Sequence, residues 1–224
     1  LNTLLHKAVV EGLLEPDRRL FSRVRLSYIP TIKRAISEHE LKAIAQLPLP
    51  RDSSMALARD IFMFSFYTRG MSFIDMAFLK KTDLKGRLLE YCRKKTNQHL
   101  SVAWEQALQT IVDRYAHLTQ NTPYLLPIIR AEDGTEYQQY RRMHENVNRA
   151  LRIIGERAGL RIRLTTYVAR HTWVSIARNM NFSIAIISEG MGHRSYRTTQ
   201  VYLDSIGTSR INDANRQIIR RISM

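Results

Sequence analysis

The stretch from Ser54 to Tyr67 admits few folds. Met55, Ala56, Leu57, Ile61, Phe62, Met63, Phe64 and Phe66 put apolar side chains on most sides of a helix, so the stretch predicts a helix buried all round at the centre of a core. Gly70 ends it, and Ser72 with Asp75 has the spacing of a capping box for a short helix through Leu79. The same spacing, Ser37 then Glu40 ahead of Leu41, Ile44, Ala45 and Leu47, opens another helix and sets a domain start near residue 36.

Two strand-like runs follow, Arg87 to Arg93 and His99 to Trp104, separated by Lys94-Lys95-Thr96-Asn97-Gln98. They predict a hairpin with a basic tip. A helix is expected from Glu105 to Leu118, then a loop with Pro123 and Pro127. A long basic helix from Tyr137 to Ala158 carries Val147, Leu151 and Ile154 on one face, stopped by Gly159. Further helices are expected over 167–180, 183–189, 196–205 and 210–222. The fold class is therefore mainly α with a small antiparallel β-sheet (α+β).

The beginning of the chain reads differently. Leu4, Leu5, Ala8, Val9 and Leu13 have helical spacing closed by Glu15-Pro16-Asp17, and 18–34 is a basic linker with Arg18, Arg19, Arg23, Arg25, Lys33 and Arg34. A lone amphipathic helix cannot make a core, and the chain begins at Leu1, so residues 1–35 read as the tail of a domain that begins upstream, with 36–224 as a second domain.

Charge narrows the partners. Lys and Arg number 35 against 20 Asp and Glu, a formal net charge of +15. That excess suits an anionic partner, most often nucleic acid. A membrane surface fits less well, because the basic residues are spread along the chain and no apolar run approaches the roughly 20 residues a bilayer span needs. The single cysteine, Cys92, excludes an internal disulfide and a cysteine-based zinc site; its place in a strand-like run suits a packed thiol in a reducing compartment.

Breaking a DNA strand builds negative charge on the non-bridging oxygens of a phosphate, and a protein must meet it with fixed cations or a metal. No cluster of Asp and Glu favours a two-metal site, whereas Arg, Lys and His stand near candidate nucleophiles. Arg170 lies within an apolar helix bearing Val168, Ala169, Trp173, Val174 and Ile176. A charge there either serves a purpose or packs its stem on Trp173 with its head in water; periodicity leaves both open.

The pattern Thr166-x-x-x-Arg170-His171-Thr172, then Gly190-Met191-Gly192-His193, then Thr198-Thr199-x-x-Tyr202 resembles the catalytic domain of tyrosine recombinases, the phage-integrase family, especially integrases of mobile elements. The similarity runs from about residue 36 to 210, with His193 and Tyr202 nine apart and Arg170 and Tyr202 32 apart. The resemblance implies the family's DNA breaking-rejoining fold, with residues 1–35 as the end of a helical core-binding domain plus linker. It implies that Tyr202 is the nucleophile, forming a 3′-phosphotyrosyl link and releasing a 5′-hydroxyl, that Arg170 clamps the phosphate, and that His193 hydrogen-bonds its oxygens. Lys95, before Thr96, matches the lysine that protonates the leaving oxygen, with Lys94 as the alternative. Tyr196 is a poorer rival nucleophile.

Two positions depart from the pattern. Ser72 stands where the family has an arginine after Gly70, and Arg69 could supply a guanidinium from a shifted position or serve only as a helix C-terminal charge. Tyr167 stands where the family favours histidine, and His171 either compensates or packs. The resemblance also implies a cofactor- and metal-free reaction on double-stranded DNA, a homo-tetramer on two DNA sites (monomer or dimer off DNA), and work at the bacterial nucleoid. The C-terminal segment carries Ile211, Ala214, Ile218 and Ile222 on one side, to pack on its own domain or on a neighbour. The alternatives are a degenerate recombinase fold that binds DNA without cutting it, favoured by Ser72 and Tyr167, and a type IB topoisomerase.

Overall fold

The structure, a computed structural model, describes residues 7–13, 34–193 and the single positions 199, 215 and 218. The chain divides into two units, Leu1–Ile32 and Lys33–Met224. In the first, residues 7–10 are helical. The second holds the helices and the sheet, and among the described residues no helix is long and apolar enough to cross a membrane.

Helix α1 (Glu38–Gln46) opens with the predicted capping box: Ser37 Oγ accepts from the Glu40 amide, and Glu40 Oε2 accepts from the Ser37 amide at 2.7 Å. Helix α2 (Ser54–Tyr67) is the expected central helix. Ile61, Phe62 and Phe64 are fully buried, each worth roughly 1.5–3 kcal/mol of removal from water. Ser53 caps its start by accepting from the Ala56 amide. Its end is a reversal in which Arg69 and Gly70 both take positive φ, 61° and 77°, and the Gly70 amide donates to Ser65 O at 2.7 Å. Helix α3 (Phe73–Ala77) follows at once, with Ser72 Oγ accepting from the Asp75 amide.

Strands β2 (Leu88–Cys92) and β3 (His99–Ala103) form the predicted hairpin, with Leu89 opposite Val102 and Tyr91 opposite Leu100. A two-residue strand β1 (Leu84–Lys85) adds a third, antiparallel member that the sequence did not signal. The helix expected over 105–118 is two helices, α4 (Gln106–Arg114) and α5 (Ala116–Thr119), because the chain breaks at Tyr115 with φ −108° and ψ 12°. The buried Tyr115 ring explains the break: its hydroxyl donates to Asp60 Oδ2 at 2.7 Å, across to α2.

Helix α6 (Glu136–Arg157) buries Val147, Ala150, Leu151 and Ile154, and α7 (Thr166–Asn179) buries Val168, Ala169, Arg170 and Val174. Both lie against α2, so α2 is walled by α1, α4, α6 and α7. Helix α8 (Ile184–Gly190), capped by Ser183, packs on α7. The helices expected over 196–205 and 210–222 lie outside the described residues.

Candidate active site

One cleft, of about 500 Å3, gathers chemistry from four parts of the fold: Ser72 from the α2–α3 link, Arg93 and Lys95 from the hairpin, Arg170 from α7, and His193 from the turn after α8. Each arrives by a local device. The positive φ of Gly70 brings the backbone so close to α7 that a Cβ there would lie 2.6 Å from the Arg170 Cα. That approach lets the Gly70 carbonyl accept from Arg170 Nη1 at 2.8 Å.

Arg170 is buried, and its head is not in open water. Its Nη2 donates to Met191 O at 2.9 Å and meets His193 Nε2 at 2.8 Å. A charge in such a place is tolerated because fixed acceptors surround it. The guanidinium is thereby aimed rather than mobile.

His193 is half-buried. Arginine has no acceptor, so Nε2 must accept, and the imidazole proton sits on Nδ1, which faces Thr199 Oγ1 at 2.8 Å. Burial first, then the Arg170 and Arg93 charges, push its pKa down to about 4. The ring is neutral at pH 7.

The two lysine candidates part company. Lys95 lines the cleft. Lys94 turns to another hollow, its ammonium 4.8 Å from the centre of the Phe78 ring, while its backbone N–H donates to Asp75 Oδ1 at 2.8 Å. Tyr167 lines the cleft and is exposed. His171 does not line it and packs edge-on against Tyr167, centroids 4.7 Å apart; burial first, then Arg34 and Arg170, lower its pKa to about 4. Arg69 is also outside the lining: its Cδ lies 3.6 Å from where a Gly190 Cβ would stand, beside Trp173. Tyr202 and Tyr196 lie outside the described residues.

Sequence reasoning passed over Arg93. Its side chain is 11% exposed, its Nη1 donates to Gly192 O at 2.8 Å, and its Nε is 3.9 Å from Asp75 Oδ2. The signal was the strand's alternation: Leu89 and Tyr91 face the core, and Arg93 is next on that face. Ser72, in place of an arginine, donates from Oγ to the buried Asp75 Oδ2 at 2.6 Å. Among the described residues no group of three or more His, Cys, Asp and Glu could hold a metal ion.

Residues 34–207 match the model of the phage integrase family. The chain is similar to the tyrosine recombinase XerA of Pyrococcus furiosus, 28% identical over 198 residues, which cover 86% of this chain and 63% of that protein. It therefore spans less than two thirds of that relative's length. Among solved structures, a XerA recombinase gives a TM-score of 0.58 at 18% identity, covering 94% of this chain and 70% of that one. A Tn1549 transposon integrase in complex with transposon right end DNA gives 0.63 at 13%, covering 98% and 76%. A lambda integrase tetramer bound to a Holliday junction gives 0.57 at 15%, covering 89% and 56%. At these identities the likeness shows a shared fold.

Proposed function

We propose a function from one premise: this chain belongs to the phage integrase family. It is a site-specific recombinase, an integrase of a mobile element, that cleaves and rejoins DNA strands through Tyr202. The observation that carries this reading is the meeting of Lys95, Arg170 and His193 in a single cleft, from parts of the chain up to 98 residues apart.

The Tyr202 oxygen attacks the scissile phosphorus, the Tyr202 O–P bond forms, and the P–O5′ bond breaks. A phenol of ordinary pKa, about 10, is a poor nucleophile at neutral pH, so nearby cations favour its deprotonation. Arg170 holds the non-bridging oxygens with an aimed fork. Lys95 gives its proton to the departing 5′-oxygen. His193, neutral before DNA arrives, takes up a proton on Nε2 beside the phosphate's negative charge and donates it to a phosphate oxygen, giving up its contact with Arg170. Tyr167 offers a phenolic O–H from the cleft wall, oriented by His171, and Arg69 adds positive potential from behind Gly190. The phosphotyrosine retains the energy of the phosphodiester, so a 5′-hydroxyl reverses the step without nucleotide, cofactor or metal.

The substrate is double-stranded DNA, which the net charge of +15 suits. By likeness to the lambda integrase tetramer on its junction, four copies act on two sites, as monomers or dimers off DNA, at the nucleoid in the bacterial cytoplasm. Residues 1–35 are the end of a core-binding domain and its basic linker, and 36–224 the catalytic domain with its C-terminal helix.

The test uses nicked duplexes carrying a site selected by the chain from a random library. A DNA adduct that survives denaturant, lost in Tyr202→Phe, supports the proposal. Salt-sensitive binding with no adduct supports the non-cutting alternative that Ser72 favours, and relaxation of supercoiled plasmid lacking the site, by a monomer, supports a topoisomerase.

A further inference from the structure

A phosphate under attack exposes two non-bridging oxygens, and one guanidinium already engaged by two carbonyls and an imidazole is a thin counter-charge for both. Position 72, beside Arg170 in the same cleft, holds a serine. We propose that Arg93 is the second phosphate-binding guanidinium of this cleft, delivered from the end of β2. This rests on the phosphate-handling reading above and names a residue which that reading does not use.

Three observations converge on Arg93. It lines the cleft together with Arg170, Lys95 and His193. It is held in advance: Nη1 is bonded to Gly192 O, Nε faces Asp75 Oδ2 at 3.9 Å, and among the described residues Nη2 donates to no protein acceptor. A guanidinium carries five N–H donors, so a fork anchored at one edge keeps others for an anion. The third observation is Asp75. This buried carboxylate also accepts from Ser72 Oγ and from the Lys94 amide. Ser72 offers it no charge, so the compensating cation is Arg93.

The same contacts give Arg93 a second consequence. Gly192, whose carbonyl it grips, has a φ of 63°, and a Cβ there would stand 2.8 Å from Leu100 Cδ1 on β3. The hairpin and the turn before His193 are thus packed face to face. Arg93 fastens them, so Lys95, two residues on, is placed relative to His193 by the side chain that binds the phosphate.

The experiment titrates inorganic phosphate into the full 224-residue chain and follows the His193 imidazole by NMR. Arg93→Gln is expected to weaken phosphate binding by about tenfold to a hundredfold, the range for one charge-assisted contact. Arg93→Lys keeps a charge opposite Asp75 but loses the fork, and is expected to weaken binding several-fold while remaining folded. Ser72→Arg added to Arg93→Gln is expected to restore most of the affinity by supplying a guanidinium from the α2–α3 link, a rescue that a merely structural Arg93 would not show. Unchanged phosphate affinity in both Arg93 variants overturns the proposal, as does a loss that Ser72→Arg leaves uncorrected. Phosphate binding does not involve Tyr202 chemistry, so a chain that never forms a DNA adduct can still pass or fail this test.

Discussion

Arg170 Nη2 donates to His193 Nε2 at 2.8 Å, which fixes the histidine as a neutral ring with its proton on Nδ1. Its folded-state pKa is about 4, below the ordinary value of about 6.5, and His171 is lowered alike. Between roughly pH 6.5 and 4 the unfolded chain therefore binds more protons than the folded one. This contribution to stability is complete above about pH 6.5 and is lost as pH falls through 4. Thermal unfolding across this window should show a falling midpoint, with a shallower slope in His193→Gln. A midpoint flat from pH 7 to 4.5, or a His193 that titrates near 6.5 by NMR, would contradict the contact.

Gly70→Ala should be costly for two reasons. Position 70 has a φ of 77°, and the new Cβ would meet Arg170 backbone at 2.6 Å. Strain and overpacking together should cost roughly 2–4 kcal/mol. Gly134→Ala is the matched control, since its φ is 86° but nothing lies within 4 Å of the added carbon; it should cost about 1 kcal/mol. Denaturant unfolding compares them, and equal losses would mean that the approach of Gly70 to α7 is wrong.

Asp75 ties the hairpin to the start of α3 through the Lys94 amide and Ser72 Oγ. Asp75→Ala leaves these donors without their acceptor and Arg93 without its counter-charge, and should destabilise the domain by about 2–4 kcal/mol. The specific sign is faster hydrogen exchange at the Lys94 amide. Asp75→Asn, whose carbonyl can still accept from that amide, should keep more of its protection.

A second buried carboxylate serves the core alone. Asp60 on α2 accepts from the Tyr115 hydroxyl and is paired with Arg114 and Arg59. Asp60→Asn should cost about 3–5 kcal/mol, as removal of one partner of a buried pair does. Phosphate affinity of the remaining folded protein should not change, because Asp60 does not line the cleft. A matching loss of affinity would show that the two networks are coupled.

The parts legible in the sequence were those with a local signature. Helix α2 showed in its all-round apolar pattern, α1 in its capping box, and the hairpin in two strand-like runs about a basic tip. What escaped was decided by partners far along the chain. The break at Tyr115 follows from a hydroxyl reaching Asp60, 55 residues away, and β1 is too short to alternate. Among the basic residues, charge and spacing could not tell Arg69 from Arg93, or Lys94 from Lys95. Direction decided between them: a left-handed reversal places Arg69 outside the lining, while β2 alternation carries Arg93 into it.

Whether Tyr202 forms the covalent link to DNA is decided by locating that link. The adduct formed on a nicked duplex is digested with nuclease and trypsin, and the peptides are sequenced by mass spectrometry. Trypsin separates the two candidates, since Tyr196 falls in the peptide 195–197 and Tyr202 in the peptide 198–210. The expected result is a nucleotide phosphate on Tyr202 in peptide 198–210. The absence of any modified peptide, or a nucleotide carried by Tyr196, would contradict it.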